Sequence, residues 1–349
     1  MDMRTLRLGL VVWLCWGCGG AEAGDGDDLY DVPVAAPTTP DRLEAAGSPD
    51  DSPEGDSDDP AAPSPSLDGE QTNGVEGDEP RAGTAGLSLH GLTRAGELSE
   101  PELYDALAQA AAVCFGETHD DAAHHQAQAR AARALAMRAR GAGVPFALGF
   151  EMFQTPFQSA LTGFALGSID ERELIIDSEY ATRWGYDFGF YRPLLELAQE
   201  YGLPALALNA PAELTSKIAD GGLEGLSAEE RAALPELDLN DPDHRAYVSE
   251  LLGTFHADAA ALEGPYTVQV VWDETMADTA ADWLSTSAEG ARLLVIAGLG
   301  HCHQSAIPSR ITRRTGLSTL AVAPVRQSLL GVPGFPTLEH YDLLVVLED

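Results

Sequence analysis

The sequence predicts a single α/β domain with a largely parallel sheet flanked by helices, preceded by a disordered acidic tether. Six short apolar runs are continuous rather than alternating, which is typical of strands buried on both faces. Amphipathic stretches lie between these runs, and an alternation of strands and helices is typical of the α/β class. A long acidic stretch rich in Pro, Gly and Ser precedes the first run and lacks the apolar residues that a core requires.

The composition excludes several classes of function. The 349 residues include 20 Lys and Arg against 56 Asp and Glu, which gives a formal net charge of −36. Sequence-independent binding to nucleic acid needs a basic surface and is therefore excluded. Electrostatic docking on an anionic membrane is disfavoured for the same reason. Four cysteines in a chain of this length do not make a disulfide framework.

Residues 1–18 predict an export leader of the lipoprotein type. The apolar run Leu8–Trp16 follows two arginines and is too short to span a membrane, and a glycine stands directly before Cys18. Cys18 would be the acylated first residue of the processed chain, and its acyl chains would anchor the protein stably on a bacterial membrane. An ordinary cleaved signal peptide is the alternative, because Cys15 and Trp16 fit the lipoprotein pattern poorly. We therefore expect a protein of the cell envelope, on its periplasmic or surface side.

Residues 19–85 predict a disordered linker. They contain 18 acidic residues and two arginines, with almost no large apolar residues. Such a stretch cannot bury enough apolar surface to offset the conformational entropy lost on ordering. We interpret it as a tether that leads to the α/β domain at residues 86–349. An acidic partner-binding tail is the alternative, and nothing else in the sequence supports it.

The predicted strands and helices alternate within residues 86–349. The strands are Val113–Gly116, Phe146–Phe150, Pro204–Leu208, Leu293–Ala297, Thr319–Val325 and Asp342–Leu347. Helix starts are marked by capping boxes, in which Ser or Thr precedes Glu or Gln by three residues; these pairs are Ser99 with Glu102, Thr155 with Gln158 and Ser168 with Glu171. Pro156 marks a first helical position, and Gly202 marks a helix end.

Polar residues follow four of the predicted strands at their carboxyl ends. In chain order they are Glu117 with His119 and Asp120, then Glu151, then Asn209, then His301. Each alone also fits a helix cap or a turn. Ligands of open α/β sheets bind beyond the carboxyl ends of the strands. Because Glu117 and Glu151 directly abut apolar runs, where an unpaired carboxylate is costly to bury, we predict one shared site at this rim.

The residue types at the rim allow two chemistries. His119, Glu151 and His301 could hold a divalent transition metal, because imidazole and carboxylate suit Zn, Mn or Fe. The carboxylates and imidazoles could instead act as general acids and bases. One of His124 and His125, at the start of the next helix, could also face the rim, with solvated helix positions as the alternative.

Two cysteines lie near this rim in the sequence. Cys114 falls inside the first strand, where a buried thiol behaves as a small hydrophobic side chain. Cys302 follows His301 directly and could pair with Cys114 in an oxidising compartment. The sequence does not provide the distance between them, and we predict no disulfide here.

Residues 178–193 form a segment that is unusually rich in aromatic side chains. It contains Tyr180, Trp184, Tyr186, Phe188, Phe190 and Tyr191, in a chain with 7% aromatic residues. A patch that covers the sheet is one interpretation. The other is a platform for a flat apolar ligand such as haem, with Tyr or His as an axial ligand to iron. Arg183, Arg192 or Arg310 would then pair with the ligand's propionates.

Six motifs together resemble the ChaN-like haem-binding lipoproteins of the haem-uptake/Tiki superfamily. They are Phe115–Asp120 with His124, His125 and Gln128; Gly149–Phe153; Trp184 with Tyr191–Pro193; Ala207–Pro211; Trp272–Ala277; and Gly298–His301 with Ile307–Arg310. They follow one another in the family's order across about residues 87–325. Any one of them is weak, whereas the ordered set is specific.

The resemblance implies a membrane-anchored, haem-binding lipoprotein of the envelope that takes part in haem or iron uptake, in which paired subunits can enclose haem. Tyr191 lies at a family motif position and is one candidate haem ligand, while Tyr186 and Tyr180 are nearby candidates. Arg192 and His125 complete the residues that we expect to bind haem. The implied partners are therefore haem, a lipid-anchored membrane and a second copy of the chain, without nucleic acid.

The resemblance also implies kinship with Tiki-type metalloproteases and erythromycin-esterase-like hydrolases. Matching their motifs gives Glu117, His119, Glu151 and His301 as the catalytic residues of a metal-dependent hydrolase. A non-catalytic envelope scaffold, in which the rim is a relic, is a third hypothesis. The polar rim favours an active site and the aromatic segment favours haem, so the sequence leaves these alternatives open.

Overall fold

The computed structural model describes residues 87–253 and 262–348. The strands are β1 (Leu89–Thr93), β2 (Gly96–Leu98), β3 (Ala112–Glu117), β4 (Phe146–Gln154), β5 (Ala205–Asn209), β6 (Arg292–Gly298), β7 (Thr319–Arg326) and β8 (Leu343–Leu347). The helices are α1 (Glu100–Leu107), α2 (Ala122–Ala142), α3 (Gln158–Ala165), α4 (Glu171–Asp177), α5 (Tyr180–Arg183), α6 (Arg192–Tyr201), α7 (Ala212–Gly221), α8 (Ala228–Ala232), α9 (Pro242–Gly253), α10 (Glu263–Thr286), α11 (Leu299–Cys302) and α12 (Ile307–Thr315). The predicted leader at 1–18, its Cys18 and the predicted linker at 19–85 lie outside the described residues.

The strands of the described residues form one sheet in the order β2-β1-β8-β7-β3-β6-β4-β5. Strands β3 to β8 are mutually parallel, whereas β1 pairs antiparallel with both β2 and β8. The predicted α/β class is confirmed, and each of the six predicted strands is present within a few residues of its expected bounds. The antiparallel edge formed by β1 and β2 was not predicted, because both strands are short and partly exposed and show no continuous apolar run.

Side chains that alternate along each central strand pack on opposite faces of the sheet. Val113 and Phe115 of β3 join the core beneath α1, α2, α3 and α6. Ala112 and Cys114 of the same strand join the core beneath α10 and α12. Burying one large apolar side chain contributes about 1.5–3 kcal/mol, so both faces select apolar residues. This double burial explains why the strands are continuous apolar runs.

The helix boundaries follow the predicted capping residues only in part. The Ser99 box is confirmed, since the Ser99 amide donates to Glu102 at 2.9 Å. Gly202 is also confirmed as a helix end, with φ of +65°. The box at Ser168 is wrong: α4 begins later, and Asp170 is its N-cap residue. The pair of Thr155 with Gln158 is wrong as well, because a short 3₁₀ turn separates β4 from α3, and the Gln158 amide pairs with β5 instead.

Cys114 and Cys302 form a disulfide, which corrects the prediction that they do not pair. Their Cα atoms lie 5.2 Å apart, although 188 positions separate them in the sequence. Cys114 lies on β3, and Cys302 ends the short helix that follows β6, the parallel neighbour of β3. Parallel pairing of strands that are distant in the chain brings the two residues together, and the sequence does not reveal that pairing.

Within residues 87–253 and 262–348, no helix has an apolar stretch long enough to cross a membrane.

Candidate functional site

The central strands bring the predicted rim residues to one place. Strand β6 lies between β3 and β4 in the sheet. In the register, Glu117 at the end of β3 is paired with Gly298 at the end of β6. On the other side, Phe150 of β4 is paired with Ile296, so Glu151 comes one residue further along. The two glutamates therefore flank the end of β6 from opposite sides.

Glu117 and His119 form what we call the outer pair. The Nδ1 atom of His119 lies 2.9 Å from Glu117 Oε1, and the Tyr191 hydroxyl donates to the same oxygen at 2.6 Å. The indole of Trp184 donates to the Tyr191 hydroxyl at 3.2 Å. The side chain of Glu117 is completely buried, whereas that of His119 is 24% exposed. The outer pair thus reaches the surface through its imidazole.

His125 contacts the outer pair from α2. Its Nδ1 lies 3.4 Å from Glu117 Oε2, and its Nε2 lies 3.0 Å from the His119 carbonyl oxygen. The ring stacks on Phe190 with 4.5 Å between ring centroids. His124 lies beside it but accepts a hydrogen bond from the Thr118 amide instead, and burial lowers the pKa of His124 to about 4. Of these two histidines, His125 is the one that contacts Glu117.

Glu151 and His301 form what we call the inner pair. The Nε2 atom of His301 lies 3.2 Å from Glu151 Oε1, and the Gly298 amide donates to Glu151 Oε2 at 2.6 Å. Both side chains are almost fully buried. A Cβ atom on Gly298 would lie 2.9 Å from His119 Cε1 and 3.6 Å from Glu151 Oε2. The absence of a side chain at Gly298 therefore lets the outer and inner pairs approach each other.

The two pairs set each other's charges. Burial by itself would raise the pKa values of Glu117 and Glu151, but the neighbouring histidines outweigh it and lower both pKa values. Burial opposes protonation of His301, but the charges of Glu151 and Asp273 outweigh it and raise the pKa of His301 to about 10. The hydrogen bond with Glu117 raises the pKa of His119 in the same way. At neutral pH the two glutamates are ionised and the His301 imidazole is protonated.

The prediction of a divalent metal at His119, Glu151 and His301 has no support from this geometry. Within residues 87–253 and 262–348, no group of three or more His, Cys, Asp or Glu side chains is placed to hold a metal ion. A metal ligand must present an unprotonated imidazole nitrogen. Both ring nitrogens of His301 face carboxylates, so neither nitrogen is presented to a cation.

Two other predicted rim residues lie apart from the pairs. Asp120 is exposed to solvent. Asn209 accepts a hydrogen bond from the Ala210 amide at 2.8 Å, as a residue that shapes a turn does. Both residues therefore fit the alternative of a local role in a turn.

The three candidate tyrosines differ in their access to solvent. Tyr191 is fully buried with its hydroxyl between Trp184 and Glu117, and Tyr180 is 3% exposed. Tyr186 is partly exposed, and its ring centroid lies 4.9 Å from that of His119. Burial and the charge of a nearby aspartate raise the pKa of Tyr186 to about 12. We call His119 and Tyr186 together the mouth of the site.

The arginines considered for propionates are all paired. Arg192 forms a 2.7 Å ion pair with Glu171 and remains 43% exposed. Arg183 pairs with two glutamates and is less exposed. Arg310 of α12 is fully buried and lies 3.1 Å from Glu274 of α10, so it does not reach the mouth. Of the three, Arg192 is the most accessible.

Two buried residues behind the inner pair were not selected from the sequence. Asp273 of α10 lies 2.6 Å from His301 Nδ1 and 2.8 Å from His244 Nε2. Asp273 falls in the motif Trp272–Ala277. An acidic residue among the apolar residues of a helix could have identified it as a candidate site residue. His244 falls in no motif, and only the packing of α9 against α10 reveals its contact.

Residues 103–311 match the family described as haem-binding uptake, Tiki superfamily, ChaN, and this range is more than half of the chain. The chain belongs to this family. No curated protein matches the sequence. The family resemblance expected from the six motifs is thereby confirmed.

A solved structure of ChaN shares this fold, and two further solved structures match with lower scores. A structure of ChaN from Campylobacter jejuni with cofacial haem binding has a TM-score of 0.60 and 16% identity, covering 76% of this chain and 98% of that chain. An erythromycin esterase, EreC, has a TM-score of 0.42 and 13% identity, covering 71% and 94%. The RRSP toxin effector domain from Vibrio vulnificus has a TM-score of 0.37 and 18% identity, covering 64% and 35%. At these identities the ChaN match supports the fold alone.

Proposed function

We propose that this protein binds haem at the mouth of the site, where the Tyr186 phenolate would bind the iron. The observation that carries the proposal is that Tyr186 and His119 are in ring contact and both reach solvent, in a chain of the haem-binding uptake family. Tyrosine and histidine are both established types of haem ligand. Bound haem would supply a redox-active iron at this surface.

Burial favours Tyr186 over the other tyrosines. Iron at Tyr191 would require its hydroxyl to leave both Glu117 and Trp184, inside a fully buried cluster. Tyr180 packs edge-on against Phe188 and is equally inaccessible. The Tyr186 ring is instead partly exposed. Tyr191 and Tyr180 therefore belong to the buried aromatic core behind the mouth.

The surroundings of Tyr186 also predict how binding responds to pH. Its raised pKa, about 12, means that iron must displace a proton to form the phenolate bond. Haemin affinity should therefore rise with pH across the neutral and mildly alkaline range. His119 stands beside the phenol with its Nδ1 held by Glu117, an arrangement that orients the other ring nitrogen for a polar contact.

Arg192 and His125 have more distant roles in this proposal. Arg192 is exposed enough to meet a propionate, in competition with its partner Glu171. His125 is buried against Glu117 and Phe190 and would hold the outer pair in place rather than meet haem. Since the chain has a net charge of −36, a local cation is needed near the propionates.

The location of the protein is part of the same proposal. We propose that 1–18 is a lipoprotein leader, that Cys18 carries the lipid anchor, and that 19–85 is a tether for the domain at 86–349. The disulfide between Cys114 and Cys302 supports export, because such bonds persist in oxidising compartments and are rare in the cytosol. A role in haem uptake, and a homodimer that encloses haem between two copies, follow from the family resemblance.

A haemin titration of the full chain tests the proposal. We expect a saturable Soret shift, and we expect Tyr186→Phe to weaken binding by at least about tenfold, or 1.4 kcal/mol. Tyr180→Phe is the matched control and should bind within a small factor of the unchanged protein. Unchanged binding by Tyr186→Phe would exclude this ligand, and the lack of a saturable shift in the unchanged protein would exclude haem binding here.

A hydrolase is the second candidate, favoured by the convergence of the outer and inner pairs. Because His301 is protonated at neutral pH, it cannot serve as the general base. Glu117 or Glu151 would have to activate water, and His119, which reaches solvent, would donate the proton. In an assay of ester and peptide hydrolysis, His119→Ala should then abolish turnover and Tyr186→Phe should not. An absence of turnover in the unchanged protein would remove this candidate.

A further inference from the structure

We infer that Asp273, supported by His244, is a positioning residue that holds the His301 ring in one orientation against Glu151. The inference concerns the inner pair and does not depend on haem. It rests on a continuous series of polar contacts, here called the line, that runs from Glu151 through His301 and Asp273 to His244. The side chains of Asp273 and His244 are fully buried, so each of them must act through its neighbour.

Asp273 is the centre of the line because its two oxygens bridge two imidazoles. Its Oδ1 lies 2.6 Å from His301 Nδ1, and its Oδ2 lies 2.8 Å from His244 Nε2. The other ring nitrogen of His244 lies 3.3 Å from the Tyr266 hydroxyl. Asp273 and His244 are both fully buried. The line thus joins α9, α10 and α11 and ends on β4 at Glu151.

The two ring nitrogens of His301 are both occupied. Asp273 holds Nδ1 while Glu151 holds Nε2, so a half-turn of the ring would break both contacts. The Gln269 side chain lies 3.0 Å from the same Nδ1 and donates to the Gly300 carbonyl, which restricts that end of the ring further. The orientation of the ring is therefore set from two sides.

Holding His301 in turn holds Glu151. Glu151 Oε1 faces His301, and Glu151 Oε2 accepts from the Gly298 amide, so both carboxylate oxygens have a fixed partner. Gly298 also lies directly against the His119 ring. Asp273 therefore fixes the position of the Glu151 carboxylate, and it does so through His301.

Packing alone does not account for Asp273. Its neighbours on α10 include Val270, Val271 and Met276, which are fully buried and apolar. Replacing a buried ionic group by a well-packed apolar side chain is often neutral or stabilising, so stability by itself does not require a carboxylate here. A carboxylate can accept hydrogen bonds from the His301 and His244 rings and so orient them, which an apolar side chain cannot do.

The test is a nuclear magnetic resonance measurement on the full chain labelled with ¹⁵N at histidine. Two-bond proton–nitrogen correlations show which ring nitrogens carry hydrogen, and His301→Gln identifies the His301 signals by their loss. At neutral pH we expect a single set of His301 signals with hydrogen on both nitrogens. We expect Asp273→Asn to remove the hydrogen from one nitrogen or to split the signals into several orientations. Asp278→Asn, an exposed change on the same helix, should leave them unchanged.

His244→Gln is a second variant that preserves the bond between Asp273 and His301. It should broaden or shift the His301 signals less than Asp273→Asn does, with the far-UV spectrum of the fold unchanged. The inference is overturned if His301 in the unchanged protein has one ring hydrogen or averages between orientations, or if Asp273→Asn leaves its signals in place. Haemin titration of Asp273→Asn should still give a Soret shift, so the outcome is separate from that of the haem proposal.

Discussion

The outer pair and the inner pair use the same two residue types in different surroundings. In each pair a glutamate near a strand end faces a histidine, at 2.9 Å in Glu117 with His119 and at 3.2 Å in Glu151 with His301. The outer glutamate is held by a phenol, whereas the inner histidine is held by a carboxylate. The His119 side chain is 24% exposed and that of His301 is 4% exposed.

The difference shows that residue type does not decide the role of these groups. His119 can meet a ligand because it stands between the glutamates and solvent. His301 has carboxylates on both ring nitrogens and almost no exposure, so it can only orient its neighbours. In our proposal the outer pair contacts the ligand and the inner pair supports the outer pair. Each change below should therefore affect the two pairs differently.

Removing the support should have the largest effect on stability. Asp273→Ala leaves two buried imidazoles without their carboxylate, and breaking a buried pair in this way costs about 3–5 kcal/mol. In the outer pair, Tyr191→Phe removes one hydrogen bond to Glu117 and should cost about 1.5–3 kcal/mol. Urea denaturation measures both, with the exposed Asp278→Ala as control. Equal losses for Asp273→Ala and Asp278→Ala would contradict the account.

The second prediction concerns how the free energy of unfolding depends on pH, because the inner pair contains a histidine with a raised pKa. A histidine with a raised pKa contributes stability that is complete below its unfolded pKa of about 6.5 and is lost as pH rises through its folded value. For His301 that folded value is about 10. The free energy of unfolding should therefore fall as pH rises between these two values. His301→Gln should flatten this limb, and a slope that persists in the variant would contradict the assignment.

The contact between the pairs should show a smaller effect. In Gly298→Ala the new Cβ would lie 2.9 Å from His119, so the ring must move, at a cost of about 1–3 kcal/mol. We expect weaker haemin binding together with this loss. Gly141→Ala, at a helical position where a Cβ meets nothing within 4 Å, is the matched control and should be neutral or slightly stabilising. If the two variants were alike in urea denaturation, the close approach at Gly298 would have no consequence.

The smallest effect is expected at the edge of the mouth. Arg192→Gln removes an exposed ion pair, and such pairs contribute about 0–1 kcal/mol to stability. Its effect on haemin affinity should be larger than its effect on unfolding and should shrink as salt is added. Arg133→Gln, which removes another exposed Arg–Glu pair, should change neither quantity appreciably. A reversed order, with stability affected more than affinity, would argue against a propionate contact at Arg192.

The sequence predicts the sheet better than the contacts behind the site. Glu117 and Glu151 could be recognised because each directly follows an apolar run, and strand ends of a parallel sheet meet at one edge. His244 and the bond between Cys114 and Cys302 depend on which distant segments pack together, and no local pattern records that. Burial likewise distinguishes Tyr186 from Tyr191, although the two lie in the same aromatic segment.

The central claim is that haem iron bonds to Tyr186 at the mouth, and resonance Raman spectroscopy of the haemin complex tests it most directly. We expect iron–phenolate vibrations in the complex of the unchanged full chain. They should persist in Tyr191→Phe, whose phenol is buried behind the outer pair, and disappear in Tyr186→Phe. Their absence from the unchanged protein, or their survival in Tyr186→Phe, would contradict the account.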